Sequence, residues 1–409
     1  MSNTSENNLD YDIQVHHSTS QIDAFEWNEL LGIQAQPTPF MKMEYLRAME
    51  LSKSATTKTG WTPRFITIKN EGKLIAACPL YLKAHSYGEF VFDWAWASAY
   101  EQHGLAYYPK ALIAVPFTPV PGTRLMAIDE PTRDLLVTVI KDWIKEQELS
   151  SLHLLFGAQP DLKSCTNSGL LLRHTVQFHW QNSDYIDFND FLSSLNQEKR
   201  KKIRQERSKV TKAGVHFIAK HGAQINAEDW SFFYTCYEQT YYEHGNSPYL
   251  TPAFFESMKE TMPENWVLFI AIKEDGTKIA SSLVALSNVN ANAQDSENPT
   301  EGRVAYGRYW GALQRVDCLH FEACYYAPIE WCIQNKIARF EGGAQGEHKM
   351  ARALMPTRTS SAHYLVHPSF ADAVKNFLQR EEQGIENYME DLERRSPLKG
   401  GNGNGHSQS

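Results

Sequence analysis

Long apolar runs are missing from this chain. The longest are about the length of Trp266-Val-Leu-Phe-Ile-Ala-Ile272, far short of the roughly 18–20 residues a membrane-spanning helix needs. Cysteine is sparse: six residues, Cys78, Cys165, Cys236, Cys318, Cys324 and Cys332, none in a CxxC pair, read as buried thiols of a reducing compartment. Positive charge is not in excess, since 40 Lys and Arg stand against 48 Asp and Glu for a net charge of −8. That balance excludes a general nucleic-acid binder and an electrostatic attraction to a membrane surface, so DNA and membrane insertion are not expected. Met1–Asp10 has neither a basic region nor an apolar stretch, which reads as a disordered tail rather than a signal peptide, and a cytoplasmic location is expected. HExxH, H-x-E with P-C-x-x-C, GxSxG and GxxxxGK[ST] are all absent, and no metal site is expected.

What is present is a unit written twice. Phe65-Ile-Thr-Ile-Lys-Asn-Glu-Gly-Lys-Leu-Ile-Ala76 and Phe269-Ile-Ala-Ile-Lys-Glu-Asp-Gly-Thr-Lys-Ile-Ala280 agree at seven of twelve positions at a constant offset of 204. Each is an alternating strand, an acidic-Gly turn and a second strand, the signature of a β-hairpin. A short strand precedes each copy (Asp12–Val15 and Val215–Ala219), then an aromatic helical pattern (Ala24–Trp27 and Ala227–Trp230) and a second short helix (Met43–Leu51 and Pro252–Glu260). Downstream, strand, long helix and strand are predicted at Arg124–Ile128, Pro131–Glu148 and Ser151–Gly157 in one copy. The other copy has them at Val304–Ala312, Leu319–Asn335 and Ala338–Gly342. The expected layout is a tail at 1–10, a first domain at 11–182, a second at 183–396 and a disordered tail at 397–409. Ser287–Gly302, rich in Asn, Ser, Asp and Glu, reads as a solvated loop.

Three segments of the second copy, Tyr306-Gly-Arg-Tyr-Trp-Gly311, Leu319-His-Phe-Glu-Ala-Cys-Tyr-Tyr326 and Phe340-Glu-Gly-Gly-Ala-Gln-Gly-Glu-His-Lys349, resemble the bacterial FemAB-like proteins. So do Trp94–Glu101, Gly104–Lys110 and Ala114–Pro119 of the first copy. The sequence departs from the family's pattern at Ala327 and Ala353, where Gln and Gly are expected. The element order also matches the GNAT acyltransferase fold. The resemblance therefore implies an α+β protein of two tandem GNAT-like domains, each a mixed sheet flanked by helices, and peptidoglycan biosynthesis or recognition as its setting.

Acyl transfer to an amine needs a base for the ammonium, an oxyanion stabiliser and an acid for the leaving group. In the implied fold the cleft opens between Val304–Ala312 and Ala338–Gly342. Glu341, Gln345, Glu347, His348, Lys349 and Arg352 follow the second of these strands among Gly342, Gly343 and Gly346. Glu347 or His348 is the candidate base, Glu341 a further catalytic candidate, and Gln345, Lys349 and Arg352 candidate substrate ligands. The same stretch also reads as a Gly-rich surface turn. Tyr309 is either the leaving-group acid or a packing residue, and His320 and Glu322 read as caps of the long helix. In the first copy Trp94, Trp96, Tyr100, Glu101, His103 and Lys110 describe either a substrate groove or a packed face. Lys199–Lys212 carries eight basic residues against one acidic residue; Arg200, Arg204 and Arg207 are candidates for donor phosphates, and a solvated helix is the alternative.

The function expected is N-acyl or aminoacyl transfer to an amine of a small molecule or peptide, such as a cell-wall precursor. No tightly bound cofactor is expected, and the donor is aminoacyl-tRNA or acyl-coenzyme A. The Gly-rich pyrophosphate loop of ordinary GNAT enzymes is missing from Gly311-Ala-Leu-Gln-Arg-Val-Asp-Cys-Leu-His320, which argues for tRNA as a partner. Two alternatives stay open: an acetyl-coenzyme-A-dependent N-acetyltransferase, and a non-catalytic protein that recognises peptidoglycan precursors.

Overall fold

The computed structural model describes residues 11–287, 302–344 and 346–399. Residues 1–10, most of the Ser287–Gly302 loop, Gln345 and the tail from 400 lie outside the described residues. Two compact units form: one from the residues up to Arg173 together with Ser360–Gln379, the other from His174–Thr359 and the residues from Arg380 on.

The first unit runs β1 (Tyr11–His16), α1 (Ala24–Gly32), α2 (Met43–Leu51), β2 (Trp61–Pro63), β3 (Phe65–Asn70), β4 (Lys73–Cys78), β5 (Leu80–Lys83), α3 (Trp94–Gln102), β6 (Lys110–Ile113), β7 (Met126–Ala127), α4 (Glu130–Glu146), β8 (Ser151–Leu154) and α5 (Gln159–Asn167). Then come β9 (Leu171–Gln181), α6 (Phe188–Ser194), α7 (Gln197–Lys212), β10 (Val215–His221), α8 (Ala227–Glu243), α9 (Pro252–Thr261), β11 (Trp266–Lys273), β12 (Lys278–Leu286) and β13 (Val304–Ala312). The second long helix is split into α10 (Leu319–Phe321), a π-helical turn (Glu322–Tyr326) and α11 (Ala327–Gln334). The chain ends with β14 (Arg339–Ala344), β15 (Met355–Leu365) and α12 (Pro368–Arg394).

The repeat is real at the level of hydrogen bonds. β1, β3 and β4 are antiparallel in the first unit, as are β10, β11 and β12 in the second. Gly72 (φ +80°) and Gly276 (φ +84°) sit at the same offset in the two turns, both in the left-handed region that the hairpin requires. β6 runs parallel to β8, and β13 parallel to β14. This corrects one equivalence: β6, not Arg124–Ile128, answers β13, and of that predicted strand only Met126–Ala127 forms, pairing β4. Pro79, with no N–H to give a ladder, separates β4 from β5, so the first unit splits into two short sheets where β12 continues unbroken.

Each unit also closes its sheet with a strand from the other half of the sequence. β8 pairs with Ala362–Leu365 of β15, and β14 pairs with Gln177–Gln181 of β9. The chain therefore passes into the second unit at Arg173/His174, before the expected boundary at 182/183, and Ser360–Gln379 returns to the first. Pro397–Lys399, expected as tail, is held: Asn196 N–H donates to Pro397 O (2.9 Å) and Lys399 N–H to Ser194 O (2.8 Å). Ahead of β10 the chain is helical in two pieces, α6 and α7, broken at Leu195.

The cores follow from the periodicities. Leu136, Val137, Ile140 and Ile144 of α4 pack on Ile66, Ile68, Ile113 and Leu152 in the first unit. Tyr326, Ile329, Cys332 and Ile333 pack on Val267, Phe269, Val284 and Phe340 in the second. No described helix is long and apolar enough to cross a membrane. Two outcomes test this architecture. A fragment of residues 1–182, lacking β15, should show no cooperative thermal transition. Gly311→Ala, whose new Cβ would lie 1.7 Å from the Cys236 carbonyl oxygen on α8, should destabilise by roughly 3 kcal/mol in urea unfolding.

Candidate functional site

The site begins where two strands part. β13 and β14 share only three residue pairs, Val304 with Arg339, Ala305 with Phe340 and Tyr306 with Glu341. β13 then continues to Ala312 paired with β12 on its other edge, and β14 turns away through Gly343, whose φ of +79° favours glycine. Along β12 the register moves from Leu283 opposite Tyr309 to Val284 opposite Gly307, leaving Arg308 as a bulged residue at the opening.

Here lies a cavity of about 170 Å³, lined by Gly307, Tyr309, Trp310, His320, Cys324, Tyr325 and Gly342 among others. The π turn provides its wall. Pro328 has no N–H to continue an α ladder, and the widened turn before it presents Tyr325 to the cavity while burying Tyr326 and Ile329. The His320 ring meets Trp310 edge to face at 5.1 Å and Tyr325 at 5.7 Å. His348 Nε2 is 3.2 Å from the Tyr325 hydroxyl.

Beneath this trio sits Arg352, almost fully buried. It donates to His348 O (2.6 Å) and to Glu206 Oε2 (2.9 Å), and its guanidinium lies 3.6 Å from the Phe321 ring centre. Glu206 also accepts from the Tyr326 hydroxyl. Lys349 Nζ donates to Gly343 O (3.0 Å), tying the Gly-rich turn to the same floor.

The electrostatics follow from burial among cations. Desolvation lowers the His320 pKa to about 4, with His348, Arg352 and Lys349 acting in the same sense. Burial also lowers His348, and it brings Lys349 down to about 8. The Tyr325 hydroxyl is pushed well up by burial and stays protonated. At neutral pH the cavity thus offers a neutral imidazole as proton acceptor and a phenol as proton donor, in a field that favours a developing oxyanion.

Of the residues singled out by sequence, His348, Lys349, Arg352 and Tyr309 gather around this cavity. Arg352 belongs to its floor, paired within the protein. Tyr309 lines the opening, but its ring is also packed edge-on against Tyr237 (5.3 Å) and Phe255 (5.8 Å). Glu347 does not join: its exposed carboxylate accepts from Tyr388 (3.0 Å) and Arg395 (3.1 Å) on the outer side. Glu341 is buried on the opposite face of β14 from Phe340 and Gly342, 3.0 Å from Arg339 Nε and 3.8 Å from His179. Gln345 lies outside the described residues.

Arg207 turns inward to Glu322 (2.9 Å) and Glu330 (2.6 Å), which removes it from phosphate binding and Glu322 from capping. Arg200 and Arg204 do remain on the outward face of α7, along a groove with Lys201, Lys209 and Lys212. In α3 the 3.6-residue period separates the first-unit candidates. Trp96 and Tyr100 are buried, Tyr100 stacking on Phe370 at 4.0 Å, while Trp94, Glu101 and His103 face solvent. Lys110 is fully buried against Glu89 and Asp93. These six residues do not line one groove.

Sequence reasoning missed His320 and Tyr325 as site residues, and Glu206 altogether. Glu206 could have been found, because it sits in the apolar stripe of α7 between Ile203 and Val210. Among the described residues, no three His, Cys, Asp or Glu side chains are placed to hold a metal ion.

Arg352→Leu should cost about 3–5 kcal/mol in denaturant unfolding, because the buried Glu206 carboxylate would lose the guanidinium that pairs it and keep the Tyr326 hydroxyl. The depressed His320 also carries a sign. Between pH 6.5 and about 4 the unfolded chain binds a proton at this residue that the folded one refuses. Wild-type stability should therefore fall relative to His320→Gln as pH drops through that window, read from urea midpoints at a series of pH values.

The comparisons with known proteins agree with this architecture. The family model described as FemAB-like, peptidoglycan biosynthesis/recognition, matches residues 18–400. The crystal structure of FemX aligns with a TM-score of 0.52 at 11% identity, over 89% of this chain and 100% of that one. The C-terminal domain of an Agrobacterium fabrum protein named as a lysylphosphatidylglycerol synthetase gives a TM-score of 0.50 at 10% identity, over 89% and 97%. A tandem GNAT protein of the clavulanic acid pathway gives 0.44 at 10% identity, over 88% and 99%. A comparison with curated proteins returns no match. With a family match spanning residues 18–400, almost its entire length, the chain belongs to the FemAB-like family.

Proposed function

We propose that the second unit transfers an acyl or aminoacyl group to an amine, and that the opening between β13 and β14 is where the transfer occurs. The observation that carries this reading is the neutral His320 beside protonated Tyr325 in a cavity reached by the bulge at Arg308. The amine nitrogen attacks the carbonyl carbon of an ester or thioester, and the carbonyl electrons move to an oxygen held by backbone N–H groups at the bulge. His320 takes the ammonium proton. The C–O or C–S bond then breaks as Tyr325 protonates the leaving group, and the proton on His320 restores the phenol. His348, bonded to the Tyr325 hydroxyl, orients it.

The family description supports a peptidoglycan precursor as acceptor. For the donor, the outward cations Arg200 and Arg204 favour aminoacyl-tRNA, which needs a polyanion contact and no pyrophosphate loop. A second donor, acyl-coenzyme A, is favoured by one observation. A depression of about 360 Å³ along Ala312–Val316, with Arg315 on its rim, shares Trp310 and His320 with the cavity. We place the reaction in the cytoplasm, without a tightly bound cofactor.

His320→Gln should lower kcat by about 10²–10⁴-fold, the range of a lost general base. The acid limb of kcat/KM should fall near pH 4, where His320 titrates, and not near 6.5. Glu347→Gln should leave kcat within about twofold, because its carboxylate is engaged outside the cavity. An unchanged rate in His320→Gln would overturn the assignment. The donor is decided by thermal unfolding with coenzyme A, where saturation at about 100 times Kd adds roughly 2.7 kcal/mol of stability. A clear shift selects acyl-coenzyme A. No shift, with loss of tRNA retention in Arg200→Glu/Arg204→Glu, selects aminoacyl-tRNA.

A further inference from the structure

The second unit carries a groove of about 470 Å³ that shares no lining residue with the transfer cavity. That volume falls within the roughly 300–1,000 Å³ of small-molecule sites. Its walls are α7, through Arg207 and Val210, and α11, through Ala327, Glu330 and Trp331. Its floor is one face of β10 and β11. Val215, Phe217 and Ala219 share that face by the period of two, and Phe269 stands opposite Ala219 in the neighbouring strand. Ala219 sets only a methyl group beside the Phe269 ring, so the space between the helices stays open there. Phe217 and Trp331 are only partly buried by the core and turn ring surface to the groove.

The acids of this groove outnumber its cations. Arg207 Nε donates to both Glu322 oxygens (3.1 and 3.2 Å), and Arg207 Nη2 donates to Glu330 Oε2 (2.6 Å). Two carboxylates thus share one guanidinium, and Arg207 is the only Lys or Arg among the described lining residues. Arg200, Lys201, Arg204, Lys209 and Lys212 of the same helix line the separate, outward groove. The excess negative charge is already felt at Glu322, whose carboxyl is raised by burial, with Glu330 acting in the same sense against Arg207. Glu330 is the accessible member of the pair. Its side chain is 35% exposed against 7% for Glu322, and among the described residues nothing donates to its Oε1.

We propose that this groove binds an organic cation, a primary ammonium seated on Glu330 Oε1 with an apolar chain or ring lying along Phe217, Phe269 and Trp331. The chemistry of the lining selects it. A cation completes the charge of the Arg207–Glu322–Glu330 cluster and meets the negative faces of aromatic rings, of which Trp is the strongest. An anion would be repelled by the uncompensated carboxylate, and an uncharged ligand would cover Glu330 without replacing the water it loses. Glu322 opens the π turn that carries Tyr325, so the occupant sits against the same turn as the transfer machinery. Nothing in this proposal depends on the transfer chemistry itself.

The test titrates n-hexylammonium into the full chain by calorimetry, with hexanol and hexanoate as controls of the same length. Hexylammonium should bind saturably, and both controls at least about tenfold more weakly. Glu330→Gln should weaken hexylammonium by at least about tenfold. Arg207 keeps its bonds to Glu322 in that variant, so its thermal transition should match the wild type. Should it misfold, Ala219→Trp decides: the position is exposed on a strand, and the new ring should fill the groove and remove binding. His320→Gln should bind hexylammonium as the wild type does, which separates this groove from the transfer cavity. The proposal is overturned if hexylammonium gives no saturable heat, or if hexanol or hexanoate binds as tightly. It is equally overturned if folded Glu330→Gln or Ala219→Trp keeps the wild-type affinity, or if His320→Gln loses it.

Discussion

A parallel strand pair that separates after three residue pairs leaves backbone and side chains beyond the parting short of partners, and the second unit is arranged around that shortage. Gly343 lets β14 turn aside, the bulge at Arg308 re-aims β13, and the π turn fills part of the gap with Tyr325. Such an opening would collapse without a rigid floor. The Arg352–Glu206–Tyr326 cluster supplies it, tying the turn after β14 to α7 and to the π turn. Ala353, the residue after Arg352, adopts φ +60°, a conformation easy for glycine and costly for alanine, so the floor is held at some local strain.

Elements written in local pattern were legible in the sequence. The hairpins at Phe65–Ala76 and Phe269–Ala280 combine period-two alternation with a glycine turn, and both form with that glycine left-handed. α2 spans Met43–Leu51 as its periodicity says. What depends on distant pairing was not legible. The exchange by which β15 completes the first sheet and β9 the second has no local signature, because each strand alternates equally well whichever edge receives it. The chain therefore looked divisible at a point where each half still lacks a strand.

The same limit explains the site. Glu347 and His348 are adjacent in sequence, yet backbone direction sends one carboxylate outward to Tyr388 and Arg395 and the other ring inward to Tyr325. His320, twenty-eight residues earlier, is the nearer chemical neighbour of His348, their ring centres 6.4 Å apart. Arg207 shows the converse: its basic neighbours suggested phosphate, but Glu322 and Glu330 are brought to it only by folding.

Both units have a parallel strand pair, so the question is why only the second is open. In the first, β6 and β8 also share only three residue pairs, but the gap beyond them is filled. Leu155 N–H donates to Ile113 O (3.0 Å) just past their paired residues, and Gly122 then bridges to Gly157 in parallel. The segment around Gly122 lies beyond the end of β6, its Gly122 N–H donating to Phe156 O and its Gly122 O accepting from Ala158 N–H (3.0 Å each) on the run after β8, while Thr123 N–H donates to Gln36 O (3.0 Å). Arg124 seals it from within: 1% exposed, it donates to Val120 O and, from its backbone N–H, to Asp161 Oδ2 (2.6 Å). A Cβ on Gly122 would lie 2.5 Å from Thr38, so the plug is fitted as closely as a core. One fold thus carries two outcomes. Where a crossing segment replaces the missing strand partner, the opening becomes core; where none does, the unpartnered edge is left to a histidine, a tyrosine and whatever enters between them.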